Sequence, residues 1–436
     1  MAKLTQPVLD IYKKNNIQII GENVLYNNGI ITAYYILPMS NYATNTVNGI
    51  VNSIADLQGI ITNLVSSNPE LIFSIERIDK VVQAKDVIAN LLGTIRMYSP
   101  DYEMPYAFSS HVKDDTQSYC ILGVDIQQSS VTDIEDDSIK DTAKSIVKAA
   151  INAFTGLGNM KIDPIQILKI ENDIYRTVKY KCVRCSKDLV FYHFVSKLFP
   201  SYEISYDKLS YINDDSYEDI MCNITQVIAD NHAKFEMYND GVEVFGLDPV
   251  HTFGCMMHVE KFPEAINIAN FPMDYPANCV TTVKCIPKDK AKLALKRARS
   301  SSRYVIKQEI ESQAEDEDIE ATQQNVELAT AGIQMIEKGT IFVEFNTTFL
   351  VHGETPEEVR SYATELINVC KDRNIFVNKN LNQAKDFMNI YVSRNATKYK
   401  HFAPLTFPLS FQQNSGSIVG DNGGKRWTPA IGVDVT

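Results

Sequence analysis

No run of apolar residues in this chain is long enough to span a bilayer. The longest, such as Ile30 to Pro38, reach about half of the roughly 20 residues a membrane-crossing helix needs. The opening residues, Met1-Ala2-Lys3-Leu4-Thr5-Gln6-Pro7, lack the apolar core of a signal peptide. A cytoplasmic protein is therefore expected, meeting the inner face of the cell membrane only through partners. Positive charge is also short. Lys and Arg number 42 against 54 Asp and Glu, a formal net charge of −12, which opposes general affinity for nucleic-acid backbones but leaves room for a local basic patch. Eight cysteines in 436 residues do not suggest a disulfide scaffold, and reduced thiols are the better reading.

Recognisable chemistry is scarce as well. Gly420-Asp421-Asn422-Gly423-Gly424-Lys425-Arg426 invites comparison with a phosphate loop. Such a loop needs Gly five positions before its Gly-Lys pair and Ser or Thr after the Lys, to wrap the phosphates and hold Mg²⁺; Val419 and Arg426 stand there instead. Cys182-Val183-Arg184-Cys185 is a lone CxxC with only His193 near it, and tetrahedral zinc wants four N or S ligands, so two core thiols on a helix are expected. In His251, Cys255 and His258, strand alternation puts His251, Cys255 and Met257 on one face and His258 on the other, so the three do not converge. No Ser-His-Asp or Cys-His pairing can be picked out, and acidic pairs such as Asp136-Asp137 are too common to mean catalysis. No catalytic, cofactor-binding or metal-ligating residue is assigned.

What is present is regular secondary structure. At 436 residues the chain is too long for one core, and two or three domains are expected. Val24–Tyr26 and Ile30–Leu37 flank Asn27-Asn28-Gly29 as a hairpin. A helix with Val47, Ile50, Val51, Ile54, Leu57, Ile61 and Leu64 on one face follows, then a strand over 71–76, a helix over 81–97 and a strand over 118–126. Residues 142–157 and 164–185 look helical, ahead of an aromatic-rich stretch from Leu189 to Phe199 and a Tyr- and Asp-rich linker over 201–218. Strands return over 242–247, 252–259 and 279–285.

Residues 287–339 lack internal Pro after Pro287 and predict one long helix or a helical hairpin. Its charge is split. Lys288, Lys290, Lys292, Lys296, Arg297, Arg299, Arg303 and Lys307 come first, and acids from Glu309 to Glu320 follow. Folded back near 314–318, the two limbs would pair opposite charges. Lys288, Lys296, Arg297, Arg299, Arg303 and Lys307 are the candidate residues of an interaction arm; Tyr304 alone interleaves them as an aromatic, too little for a nucleic-acid stacking platform.

The best-signalled module lies at 340–377. Ile341, Val343, Phe345, Phe349 and Val351 alternate with polar residues as a half-buried strand. Thr355, Pro356 and Glu358 then write a capping box with Pro at the first helical position. Val359, Tyr362, Ala363, Leu366, Ile367 and Cys370 make one apolar helical face, and residues 374–377 read as a strand. An irregular Pro- and Gly-rich tail follows, from Phe402-Ala403-Pro404-Leu405-Thr406-Phe407-Pro408 through Gly416, Gly420, Gly423 and Gly424 to a fresh strand at Ile431–Thr436.

From Thr340 to Thr436 this order resembles the region just before the nucleotide-binding domain in the ATPases of conjugative transfer and type IV secretion. The resemblance implies an amino-terminal portion cut before its P-loop motor, so that ATP and Mg²⁺ belong to the parent protein and not to this chain. It also implies docking on the membrane-embedded transfer complex and association of subunits into hexamers or dimers. The expected fold is α+β: two sheet-plus-helix domains with ferredoxin-like strand and helix order, a helical insert and a long charged arm. The boundaries are 1–132 for the first domain, 133–218 for the insert and linker, 219–400 for the second domain with its arm at 287–339, and 401–436 for a linker towards the absent motor. Two other readings stand beside this one: a stand-alone structural or interaction protein of a phage or mobile element, and a nucleic-acid-binding protein that uses the basic arm.

Overall fold

The computed structural model describes residues 17–27, 30–37, 47–82, 88, 92, 95, 96, 99–103, 115–126, 164–198, 221–223, 234–238, 241–245, 251–263, 277–311, 316–353, 355–379 and 405–408. The helices expected over 81–97 and 142–157 fall largely or wholly outside these residues, as do the linker at 201–218, the Gly420–Arg426 stretch and the strand at 431–436. The chain runs β1 (Ile17–Ile20), β2 (Val24–Asn27), β3 (Ile30–Ile36), α1 (Val47–Ser67), β4 (Ile72–Val82) and β5 (Asp115–Ile126). Next come α2 (Pro164–Val178), β6 (Val183–Arg184), α3 (Lys187–Leu198), β7 (Met221–Asn223), β8 (Lys234–Tyr238), β9 (Gly241–Phe245) and β10 (His251–Lys261). The last part holds β11 (Ala277–Ile286), α4 (Lys288–Glu311), α5 (Asp316–Glu337), β12 (Phe342–Gly353), α6 (Pro356–Asp372), β13 (Phe376–Asn378) and β14 (Leu405–Pro408).

The described strands form one 14-stranded sheet in the order β7-β1-β2-β3-β5-β4-β11-β12-β10-β9-β8, with β6 on β3, β13 on β10 and β14 on β12. Mixed α/β architecture with an antiparallel sheet and six described helices is thus the fold class. The sheet is continuous where two separate ones were expected. β4 pairs β11 from Cys279↔Arg77 to Lys284↔Ile72. Each half alone would present a long edge of unpaired N–H and C=O groups, and joining them removes both edges. β7, from the range expected in the second domain, pairs instead with β1 at the far end.

Two crossovers share one plan. β3 and β4 are each antiparallel to β5 and flank it, with α1 connecting them. β12 and β13 are each antiparallel to β10 and flank it, with α6 connecting them. Both are split β-α-β units, in which the crossover helix buries its apolar stripe on the sheet it spans. α1 contributes Leu57, Ile60, Ile61 and Leu64 to the core, α2 contributes Ile167 and Val178, and α6 contributes Val359, Ala363, Leu366 and Cys370. All three cover the same face. α3 covers the other, through Val190, Phe191 and Phe194.

Local signals explain the ends of α6. Thr355 Oγ1 accepts from the Glu358 N–H, and the Glu358 carboxylate accepts from the Thr355 N–H, the reciprocal box read in the sequence. At the other end Asn374 takes φ +59. The Ile375 N–H reaches Cys370 O and the Asn374 N–H reaches Lys371 O, a Schellman cap that spends Asn374 on the turn and delays β13 to Phe376. The same motif closes α5. Gly339 has φ +94, with the Thr340 N–H on Met335 O and the Gly339 N–H on Ile336 O.

Two corrections follow from packing. The helix expected to run to 185 ends at Val178, and Cys182 and Cys185 flank the short strand β6 instead of lying on a helix. The aromatic stretch after it is helical, as α3, within the range read as a helical insert. Within the tail expected to be irregular, Leu405–Pro408 pairs with β12 from Phe345↔Leu405 to Phe342↔Pro408. Pro closes this strand at its end, where a missing N–H costs the ladder least.

Candidate interaction arm

β11 and β12 are adjacent antiparallel strands, and the chain between them is not a turn but two helices. α4 leaves β11 across Pro287, and α5 returns to β12 across Gly339 and Thr340. Together they form a helical hairpin, the second of the two arrangements the sequence left open. At about 1.5 Å per residue the 24 residues of α4 extend about 36 Å. The arm is rooted by a small apolar cluster of Ala291, Ile336 and Phe342, with Ile286 and Leu295 against it. Gly332 lets the helices approach: a Cβ there would stand 2.9 Å from Leu295 Cδ1.

The expected pairing of opposite charges along the two limbs is found at the root. Lys292 Nζ meets Glu337 Oε1 at 2.7 Å, and this bond holds the Glu337 carboxyl below the usual carboxylate range. Lys290 bonds to Glu70, just past the end of α1, and so ties the root to the sheet domain. Farther out the register of the two limbs sets which residues face each other. In an antiparallel hairpin the last turn of α4 lies beside the first turn of α5, and here both are acidic. Glu309 on α4 accepts a hydrogen bond from Thr322 on α5 at 3.2 Å, which marks that register. The basic middle of α4 lies beside the part of α5 from Gln323 to Met335, whose one charged residue is Glu327.

Of the six candidate residues, Lys288, Lys296, Arg297, Arg303 and Lys307 are exposed and Arg299 is half-buried. Lys292, Lys296, Arg299, Arg303 and Lys307 fall at i, i+4, i+7, i+11 and i+15, which puts them on one side of α4 as a stripe. The spacing was legible in the sequence but was masked by the block-like look of the charges. Arg297 lies beside the stripe with Leu293 and Tyr304. The arm also exposes Val305, Ile310, Leu328 and Met335, with Tyr304 62% and Leu328 70% accessible. Among the described residues this is the largest collection of exposed large apolar side chains on any one element pair.

Two polar centres that sequence reasoning did not assign lie inside the fold. On the α3 face, Glu76 of β4 is fully buried and accepts from Ser74 Oγ at 2.6 Å, hydrogen-bonds His193 Nε2 at 2.8 Å and pairs with Lys197. His193 stands edge-on to Tyr34. Gly123 makes room for this group, since a Cβ there would be 2.6 Å from Ser74 Oγ. On the opposite face, Glu171 accepts from Asn23 and from the Tyr35 hydroxyl at 3.0 Å each, and from Arg184 in a two-bond fork of 2.9 and 2.8 Å. Arg184 also lies over the Tyr175 ring at 3.9 Å. Burial first, and Glu171 second, push the Tyr35 hydroxyl far above its ordinary range. The fork clasps α2 and β6 to the sheet, and a planar guanidinium on a carboxylate is the strong form of such a bond.

The other singled-out residues are core components. Cys182 and Cys185 are buried free thiols, and burial pushes Cys182 up to about 12, away from reactive thiolate chemistry. Cys255 and Met257 face the main core, while His258 is buried on the opposite face, as alternation requires; the side chain of His251 lies outside the described residues. No group of three or more His, Cys, Asp or Glu side chains among the described residues could hold a metal ion.

His258 carries a pH dependence. Burial lowers its pKa from 6.5 to about 4, against a hydrogen bond with the Thr347 backbone that acts the other way. The unfolded chain therefore takes up this proton first, and stability present above pH 6.5 is lost as pH falls towards about 4. His258→Gln is expected to flatten that part of the curve. Urea unfolding of parent and variant at about pH 7 and about pH 4.5 reads the difference, and parallel losses in the two proteins would remove His258 as a cause.

No described helix is long and apolar enough to cross a membrane. No family model matches the chain, and no curated protein matches it.

Proposed function

We propose that the chain is a docking and assembly module of an ATPase of the conjugation and type IV secretion kind. In this reading ATP hydrolysis belongs to a motor domain that the chain itself does not carry. The observation that carries it is the arm: two helices grown out of the β11–β12 connection, displaying charge and apolar side chains that the described fold leaves on the surface. A helical projection of that kind presents contact area to another subunit while its root stays fixed to the sheet. The order of β12, α6 and β13, with the capping box at Thr355, supports the resemblance over its first part, and the two split β-α-β units support a ferredoxin-like arrangement. The partners would be membrane-embedded secretion subunits and further copies of the chain, at the cytoplasmic face of the membrane.

Two measurements test this. The coding sequence after Thr436 should carry a Gly-x-x-Gly-x-Gly-Lys-Ser/Thr-like segment within about a hundred codons; a stop codon directly after Thr436 favours the stand-alone interaction protein. The purified chain with Mg²⁺ should release phosphate from ATP at the rate of a buffer control, because no phosphate cradle can be assigned in it. Turnover that persists after contaminating ATPases are removed would overturn the division of labour.

A further inference from the structure

We propose that the outward face of α4 binds directly to the surface of an anionic lipid bilayer. This contact presupposes the placement at the membrane proposed above and gives the chain its own lipid-touching element.

The geometry starts from the side of α4 turned away from α5. At about 100° per residue, Ala291, Leu295, Arg299, Ser302 and Ile306 share one side of the helix, and each of them is buried or half-buried. Leu293, Lys296, Arg297, Ser300, Arg303 and Tyr304 fall on the opposite side, within an arc about 120° wide. All six are exposed. Residues 290–304 hold six Lys and Arg and no Asp or Glu. The acids of α4, Asp289, Glu309 and Glu311, stand in its end turns.

Within the arc the apolar side chains sit between cations. Leu293 is 49% exposed and Tyr304 62%; around the helix they lie between Arg297 on one side and Lys296 and Arg303 on the other. They are about 17 Å apart along the axis. The aliphatic stems of Lys and Arg let the charged heads stay at the level of lipid phosphates while Leu293 goes below them. A Tyr ring, apolar in body and polar at its tip, suits the boundary between water and acyl chains. Basic residues around exposed apolar ones are the composition of a helix that lies in the membrane interface.

A bilayer suits this face better than other anionic surfaces do. The face is a convex ridge one helix wide, and a continuous charged plane meets a ridge without groove or register. A polynucleotide would be held by the cations but would find only Tyr304 to stack on, and it would leave Leu293 in water. The chain as a whole carries −12, so an anionic surface repels the molecule in general and attracts it here, which turns the arm towards the lipid. Lys290 with Glu70 and Lys292 with Glu337 fix the root of α4, so the orientation of the arm passes to the sheet.

The test uses the full chain and vesicles. At low ionic strength the chain should cosediment with mixed phosphatidylserine–phosphatidylcholine vesicles and not with phosphatidylcholine alone, and added salt should weaken the binding. Lys296→Glu/Arg297→Glu/Arg303→Glu should weaken it about a hundredfold, since each basic residue near an anionic surface contributes about fivefold. Lys296→Gln/Arg297→Gln/Arg303→Gln, which introduces no new charge, should weaken it in the same direction while circular dichroism stays that of the parent. Leu293→Ser/Tyr304→Ser should lower affinity about tenfold and leave the salt dependence as it was. A parent that stays in the supernatant with anionic vesicles overturns the contact, as do equal binding to neutral vesicles and charge variants that bind like the parent. A parent that ignores vesicles but retains a labelled single-stranded oligonucleotide would assign the face to nucleic acid instead. None of these outcomes bears on the coding sequence after Thr436, so the lipid contact and the ATPase reading can fail separately.

Discussion

Leu366→Ala is expected to lower the stability of the fold by about 2–5 kcal/mol, the range for truncating a large aliphatic side chain in a core that closes only partly around the gap. Leu366 is fully buried in the main apolar cluster, in the middle of the α6 stripe formed by Val359, Ala363 and Cys370. That stripe lies on Phe345, Phe349 and Val351 of β12 and Met257 and Val259 of β10, all members of the same cluster. Glu357→Ala, in the first turn of the same helix, should change stability by no more than about 1 kcal/mol. Its carboxylate is largely exposed and meets Arg360 at 3.7 Å, and surface ion pairs of this kind contribute little. Urea unfolding of the two variants separates them, and equal shifts would contradict the placement of α6.

Glu76→Ala is expected to cost about 3–5 kcal/mol, because it removes the acceptor shared by Lys197 and His193 and leaves buried positive charge behind. Glu76, His193 and Lys197 are each 1% exposed or less. The replacement that removes all three polar groups, Glu76→Leu/His193→Leu/Lys197→Met, should be far milder than the single change. A buried ion pair exchanged as a unit for apolar side chains is often neutral, and residues in one network do not add. Were the triple variant as unstable as the sum of its parts, the cluster would be three separate contacts and not one network.

α6 and Glu76 also differ in how far the amino-acid order alone discloses them. The α6 module was legible because every signal in it is local: Thr355 and Glu358 are three positions apart, and the apolar face repeats within five turns. Glu76 was not legible. In Phe73-Ser74-Ile75-Glu76 the alternation assigns Ser74 and Glu76 to a solvent face, and it is α3, more than a hundred residues later, that turns this face inward. The partners on α3, His193 and Lys197, are one helical turn apart, which hints at a shared target but cannot name it. The β4–β11 pairing was hidden for the same reason, since joining residues 72–77 to 279–284 leaves no mark in either segment. In the arm the composition was legible, and the pairing of opposite charges expected between the limbs is found at the root, between Lys292 and Glu337. β14 was passed over because four residues closed by Pro408 carry too little pattern.

That short strand sets a path for mechanical load. β14 runs antiparallel to β12 and reaches Phe342 at its final residue, Pro408, so it is directed towards the end of the sheet at which the arm is anchored. Phe342 is itself part of that anchor, packed with Ala291 and Ile336. The last residue of β14 thus lies beside the residue at which β12 meets the root of the hairpin. Four residues at an edge would peel one hydrogen bond at a time, where a long central strand would have to shear as a whole.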